Sequence, residues 1–104
     1  MGGVTHLALF TWKPGTGDEQ IRALCDGLAT LPGLIPDIRS YRFGADAGLT
    51  EGNDRFAVVA EFDDVDAYRR YAADPRHRDV IERLLKPMMA TRHAVQLVGP
   101  AQLP

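Results

Sequence analysis

Residues 4–12 read VTHLALFTW, and the way this stretch must be covered decides the architecture. Side chains of a strand point alternately to its two faces. One parity carries Val4, His6, Ala8, Phe10 and Trp12, and the other Thr5, Leu7, Leu9 and Thr11. Both faces are largely apolar, which predicts a central strand shielded on both sides. His6 is the exception, because an imidazole among apolar neighbours needs a partner or lines a cavity. Ala8, next on that face, is small and leaves space beside the ring.

After a turn over Lys13–Gly17, Thr16 and Glu19 have the spacing of a capping box that opens a first helix. Ile21, Leu24, Cys25, Leu28 and Leu31 form its apolar stripe. The helix is expected to stop near Leu31, ahead of Pro32-Gly33. A second strand over Ile38–Phe43 carries Tyr41 and is polar enough for a place near the edge. Gly44–Asp54, GADAGLTEGND, reads as a long hairpin loop, and its acids lack the ligand spacing of a calcium loop. Phe56–Phe62 is a third strand, apolar on both faces until Glu61.

Asp63 is placed to cap a second helix, with Asp66 complementing the dipole in its first turn. This helix breaks at Asp74-Pro75. Beyond the break, Val80, Ile81, Leu84, Leu85 and Met88 make another stripe at helical spacing. Thr91–Val98 is the last strand, with His93, Val95 and Leu97 on one parity, and Gly99–Pro104 is expected to be an extended arm.

The order β-α-β-β-α-β describes a ferredoxin-like α+β sandwich, a four-stranded antiparallel sheet with its helices on one side. Two helical elements cover one sheet face only, yet the first and third strands are apolar on both. A contiguous apolar face does not stay in water. The economical solution is a homodimer with two sheets packed face to face, a dimeric α+β barrel.

A chain of 104 residues suits a single domain, 1–104, with one core. The net charge of −2 argues against phosphate-held nucleic-acid binding. No apolar run approaches the ~20 residues of a membrane span, and no signal-peptide pattern opens the chain. The lone Cys25 excludes an internal disulfide and fits a reducing cytoplasm; on the apolar side of its helix it reads as core. His6, His77 and His93 lie far apart with no paired ligand spacing, so neither metal nor cofactor is expected.

The residues around the helix break carry the candidate chemistry. Asp74 can accept hydrogen bonds from free N–H groups of the following helix, and Pro75 suits its first position. His77 then falls at about the third position. There the amide dipoles disfavour a cationic ring, while the Asp74 charge favours it. Tyr68 and Tyr71, three residues apart, share one face of the preceding helix. A tyrosine hydroxyl and a histidine ring meeting at this corner form the candidate site. The same residues also read as core tyrosines and a capping histidine.

The segments HLALFTWKPGT, LPGLIPDIRSYRFGAD, FAVVAEFDDVDAYRRYAADPRH and RLLKPMMATRHAVQL together resemble the stress-responsive A/B barrel (Dabb) family from about His6 to about Leu97. The resemblance implies a dimeric α+β barrel with stress association as the usual label. The family includes a plant polyketide cyclase that closes a linear polyketide thioester by an aldol step without a cofactor. Its Tyr–His pair corresponds to Tyr71 and His77, and its first-strand histidine to His6. A further histidine of its third strand is replaced here by Phe56. Asp74 stands before the proline where a histidine is common.

On that footing, His77 takes a proton alpha to a carbonyl and Tyr71 donates to the enolate oxygen, as in a cyclase or lyase. His6 lines the pocket from the sheet, and Ala8, Phe10, Phe56 and Tyr68 are the expected walls for a small apolar carbonyl ligand. Arg69, Arg70, Arg76 and Arg78 read as a solvated helix face. A second expectation is a non-catalytic stress-associated dimer that binds a small apolar ligand, with a small or closed cavity near His6. A third follows from cofactor-free monooxygenases and haem-binding proteins of the wider barrel group, with His77 or His93 as axial ligand.

Overall fold

In the computed structural model, which describes residues 3–100, Val4–Trp12 forms the inner strand β1. It pairs antiparallel with β3 (Phe56–Phe62) on one side and β4 (Met89–Val98) on the other, and β2 (Ile38–Ala45) pairs with β3. The strand order is therefore β2-β3-β1-β4. With α1 (Asp18–Leu34), α2 (Val65–Ala73) and α3 (Pro75–Val80), this is the ferredoxin-like α+β fold.

Register fixes which side chains share a face. His6 lies opposite Ala60 and Gln96, Ala8 opposite Val58 and Ala94, and Phe10 opposite Phe56 and Arg92. This even parity faces the helices. Val4, Ala8, Phe10, Phe56, Val58, Ala60 and Phe62 are buried there with Leu24, Leu28 and Leu31 of α1. The other face aligns Leu7 with Val59 and Val95, Leu9 with Ala57 and His93, and Thr5 with Leu97. No helix among the described residues covers it: Leu9 is 39% exposed, Val95 48% and Leu97 53%.

Several element ends differ from the sequence expectation. Helix α1 runs through Pro32 to Leu34, and the Ile35 N–H donates to the Leu31 carbonyl at 2.8 Å. A proline removes one helical hydrogen bond, but fully buried Leu31 and Ile35 hold the last turn against the core. The start of α1 is built by the Gly17 N–H donating to Gln20 Oε1 at 2.9 Å, not by Thr16 with Glu19. Thr16 instead donates to the Lys13 carbonyl, closing the preceding turn. Asp64 caps α2, accepting from the Ala67 N–H at 2.8 Å, whereas Asp63 pairs with Arg39 across the sheet end.

The helix after Asp74 is also not uniform. From Ile81 to Leu85 it widens into a π-helical turn, closed by the Lys86 N–H donating to the Ile81 carbonyl at 2.9 Å. Such turns are rare, and they re-aim side chains. Gly27 of α1 lets this turn approach closely, since a Cβ there would stand 2.6 Å from Leu84 Cδ1. Strand β4 begins at Met89, two residues before the expected start, with an irregularity of register between Thr11 and Trp12. The expected C-terminal arm lies outside the described residues from 101 onward. Its first residue, Gly99, donates from its N–H to the Gly3 carbonyl at 2.8 Å.

Candidate active site

Between the helix-facing side of the sheet and the helices lies a cavity of about 280 Å³. Its polar lining includes Lys86 after the π-helical turn and Arg92 of β4, besides four aromatic groups from other elements. His6 projects from β1, Tyr41 from β2, Tyr71 from α2 and His77 from α3. Apolar lining comes from Ala8, Phe10, Leu24 and Leu28 together with Ile81 and Leu85 of the π-helical turn.

His77 is fixed by the corner between α2 and α3. Asp74 ends α2 in extended geometry and accepts from the Arg76 N–H at 2.8 Å, with Pro75 at the first position of α3. Its carboxyl is held at about 2, chiefly by its bond to the Arg76 side chain. The imidazole of His77 packs on the phenol of Tyr71, with ring centroids 4.1 Å apart. Its Nδ1 is buried without a hydrogen-bond partner among the described residues. Burial is the largest influence on this ring and lowers its pKa. The Ala72 backbone and the Asp74 charge oppose that shift without reversing it. His77 is therefore a neutral, desolvated base at neutral pH.

Tyr71 is 2% exposed, and its hydroxyl lies 2.8 Å from that of Tyr41. Burial raises both phenols, Tyr41 to about 12 and Tyr71 beyond it, so both stay protonated and can donate. His6 is 6% exposed and packs on Tyr68 at 5.1 Å and Tyr71 at 6.5 Å. Its Nδ1 lies 2.9 Å from the amide nitrogen of Gln96. An amide nitrogen donates, so Nδ1 accepts and the neutral ring carries its proton on Nε2. Burial, then the charges of Arg92 and His77, hold His6 at about 4.

The structure thus brings His6, Tyr71, His77, Tyr68, Ala8 and Phe10 to one cavity. Phe56 is a correction: it does not line this cavity. It is 1% exposed in the core, because at the start of β3, opposite Phe10, its ring packs against Trp12 with centroids 5.6 Å apart. His93 is also separate from the site. On the opposite parity of β4, it faces the uncovered side of the sheet, with Nδ1 3.1 Å from Asp54 Oδ2. An axial ligand from His93 inside this cavity is thereby ruled out. Arg70 and Arg76 are held by Asp37 and Asp74, and neither they nor Arg69 and Arg78 line the cavity.

Sequence reasoning missed Tyr41, Gln96 and Arg92 as parts of the site. Tyr41 could have been suspected from its parity with Phe43 in β2, but nothing local pairs it with Tyr71. Gln96 and Arg92 share the parity of the buried face of β1 only once the β1–β4 register is known. Among the described residues, no group of three His, Cys, Asp or Glu side chains is placed to share a metal ion.

A ferredoxin-like sandwich with a histidine–tyrosine cavity under its helices is the class of protein that this fold and site define. The model of the stress responsive A/B barrel domain (Dabb) matches residues 4–98, and the chain belongs to that family. A stress-response A/B barrel domain-containing protein, HS1, from Arabidopsis thaliana is 30% identical over 78 residues, 73% of this chain and 72% of that protein. A dimeric ferredoxin-like protein of unknown function from Thermobifida fusca is 41% identical, with a TM-score of 0.86 over 93% of this chain and 91% of that one. The hydroxynitrile lyase of Passiflora edulis superposes with a TM-score of 0.85 over 99% of this chain and 98% of its own, at 15% identity. That last likeness is one of fold.

Proposed function

We propose that this Dabb-domain protein is a homodimer whose cavity abstracts a proton alpha to a carbonyl without a cofactor, in a cyclase- or lyase-type reaction. The observation that carries the reading is the desolvated imidazole of His77, its centroid 4.1 Å from that of Tyr71 in the wall of a cavity. A ring nitrogen of His77 takes the C–H proton, and the electron pair of that bond moves onto the carbonyl oxygen. Tyr71 donates to the resulting enolate oxygen, and Tyr41 orients the Tyr71 hydroxyl through their shared hydrogen bond. His6, satisfied at Nδ1 by Gln96, turns its Nε2–H to a second polar group of the ligand. Ala8, Phe10 and Tyr68 bound the apolar body of a small carbonyl substrate.

The dimer is supported by the uncovered apolar sheet face, with Leu7, Leu9, Val59, Val95 and Leu97 in register. The Thermobifida fusca relative is itself described as dimeric. Deuterium exchange at the acidic carbon of a β-diketone with an apolar chain, followed by proton NMR in D₂O, tests the chemistry. The wild-type protein accelerates exchange. His77→Ala removes the acceleration and keeps the melting temperature within a few degrees. Exchange that continues unchanged in a folded His77→Ala protein refutes the assignment.

The predominantly apolar lining favours a second reading, a stress-associated dimer that stores or carries a small apolar ligand without turning it over. It differs in one result: ligand binds saturably while the wild-type protein leaves the exchange rate at the solution value.

A further inference from the structure

The cavity has a charge asymmetry that proton abstraction does not use. Among its described lining residues there is no aspartate or glutamate, but there are two cations, Lys86 just after the π-helical turn and Arg92 within β4. Lys86 is already neutralised, its Nζ 2.6 Å from Glu82 Oε1. Arg92 is not. Each ion pair among the described residues involves other side chains. The β1–β4 register puts Arg92 opposite Phe10 on the face that lines the cavity. Its charge is felt inside, since it disfavours the cationic forms of both His6 and His77.

We infer that Arg92 is a specificity residue that seats the carboxylate of a monoanionic, apolar substrate at the cavity rim. A planar guanidinium matches a carboxylate with two parallel hydrogen bonds. One uncompensated cation beside an apolar lining suits one negative charge and not a polyphosphate. Arg92, His77 and Tyr71 line one cavity from different elements, so a chain of several carbons lets a single ligand meet the guanidinium at one end and the His77–Tyr71 pair with its carbonyl. The substrate class is a medium-chain acid with a carbonyl in its body. The inference rests on the same cavity being the ligand site, but not on His77 acting as a base.

Octanoate and octanamide, equal in length and differing in charge, are the probes, titrated calorimetrically into the full-length protein at pH 7.5. Octanoate is expected to bind the wild-type protein roughly tenfold or more tightly than octanamide, the scale of one charge-assisted contact. Arg92→Gln brings octanoate down to the octanamide affinity and leaves octanamide unchanged, while Arg92→Lys keeps part of the preference. Equal affinities in the wild type, no saturable octanoate binding, or an unaltered preference in Arg92→Gln would each overturn the assignment. His77→Gln separates the two readings: an octanoate preference that survives in a protein without proton exchange supports the anion seat and concerns only the base.

Discussion

The hydroxyl oxygens of Tyr41 and Tyr71 lie 2.8 Å apart, joining the edge strand β2 to helix α2 directly above the cavity. Tyr71 packs its ring on His77, so a strand residue distant in sequence sets the direction of the phenol beside the candidate base. Removing either hydroxyl leaves the other in a buried place without its partner. Tyr41→Phe is expected to cost about 1–2 kcal/mol in urea unfolding. The double variant with Tyr71→Phe should cost less than the sum of the single changes. Additive costs would show that the two hydroxyls are not coupled.

Acid should weaken the fold through His6. Its folded pKa is about 4 against an ordinary 6.5, so between these values the unfolded chain binds more protons than the folded one. Stability is therefore full above about pH 6.5 and is lost as pH falls toward 4. His77, also lowered by burial, acts in the same direction. Comparing urea midpoints at pH 7.5 and pH 5 should reveal a loss of roughly 1–2 kcal/mol, less than the full shift because solvent screens a partly buried ring. His6→Gln should flatten the profile, and a profile equally steep in that variant would remove His6 as the cause.

Asp74 combines a backbone role with an electrostatic one, and the two can be separated. Its Oδ1 accepts from the Arg76 N–H at 2.8 Å, and its charge favours the His77 cation. Asp74→Asn keeps a capping oxygen and should unfold close to the wild-type urea midpoint, whereas Asp74→Ala loses the cap and should unfold at lower urea. Both variants remove the negative charge and should move the His77 titration, followed by nitrogen-15 NMR, to lower pH. A His77 titration that does not move in Asp74→Asn would show that the carboxylate does not reach the ring.

The uncovered sheet face gives a test of assembly. Light scattering of the wild-type protein at micromolar concentration should give about twice the 11.4 kDa chain mass. Leu9→Glu or Val95→Glu places a charge at the centre of that face, where burial without a partner is unfavourable. Either variant is expected to run as a monomer. A dimer that tolerates both substitutions would place the interface elsewhere.

Much of the architecture was legible because its signals are local. Two-residue alternation in VTHLALFTW and FAVVAEF assigned β1 and β3 and showed that helices on one side could not cover them. Asp74-Pro75 marked the start of α3 and put His77 at its third residue, where the structure has it. The misreadings were also local in origin. Pro32 looked like a helix end because the cost of proline is a backbone property, and the burial of Leu31 and Ile35 that outweighs it is not visible along the chain. Asp63 and Asp64 are adjacent acids, and only the position of Arg39 across the sheet decided which one was free to cap α2.

The sequence by itself determined the element order, the two-faced inner strands and the likeness to the Dabb family, because periodicity and capping depend on neighbours a few residues apart. The tertiary structure alone decided that Tyr41 meets Tyr71, that Gln96 satisfies His6, that Arg92 reaches the cavity while His93 turns away, and that Phe56 is core. Those outcomes depend on tertiary pairing, which brings together residues as distant in sequence as His6 and Gln96, ninety positions apart. A shift of one residue in the β1–β4 register would exchange Arg92 and His93 between the faces of the sheet.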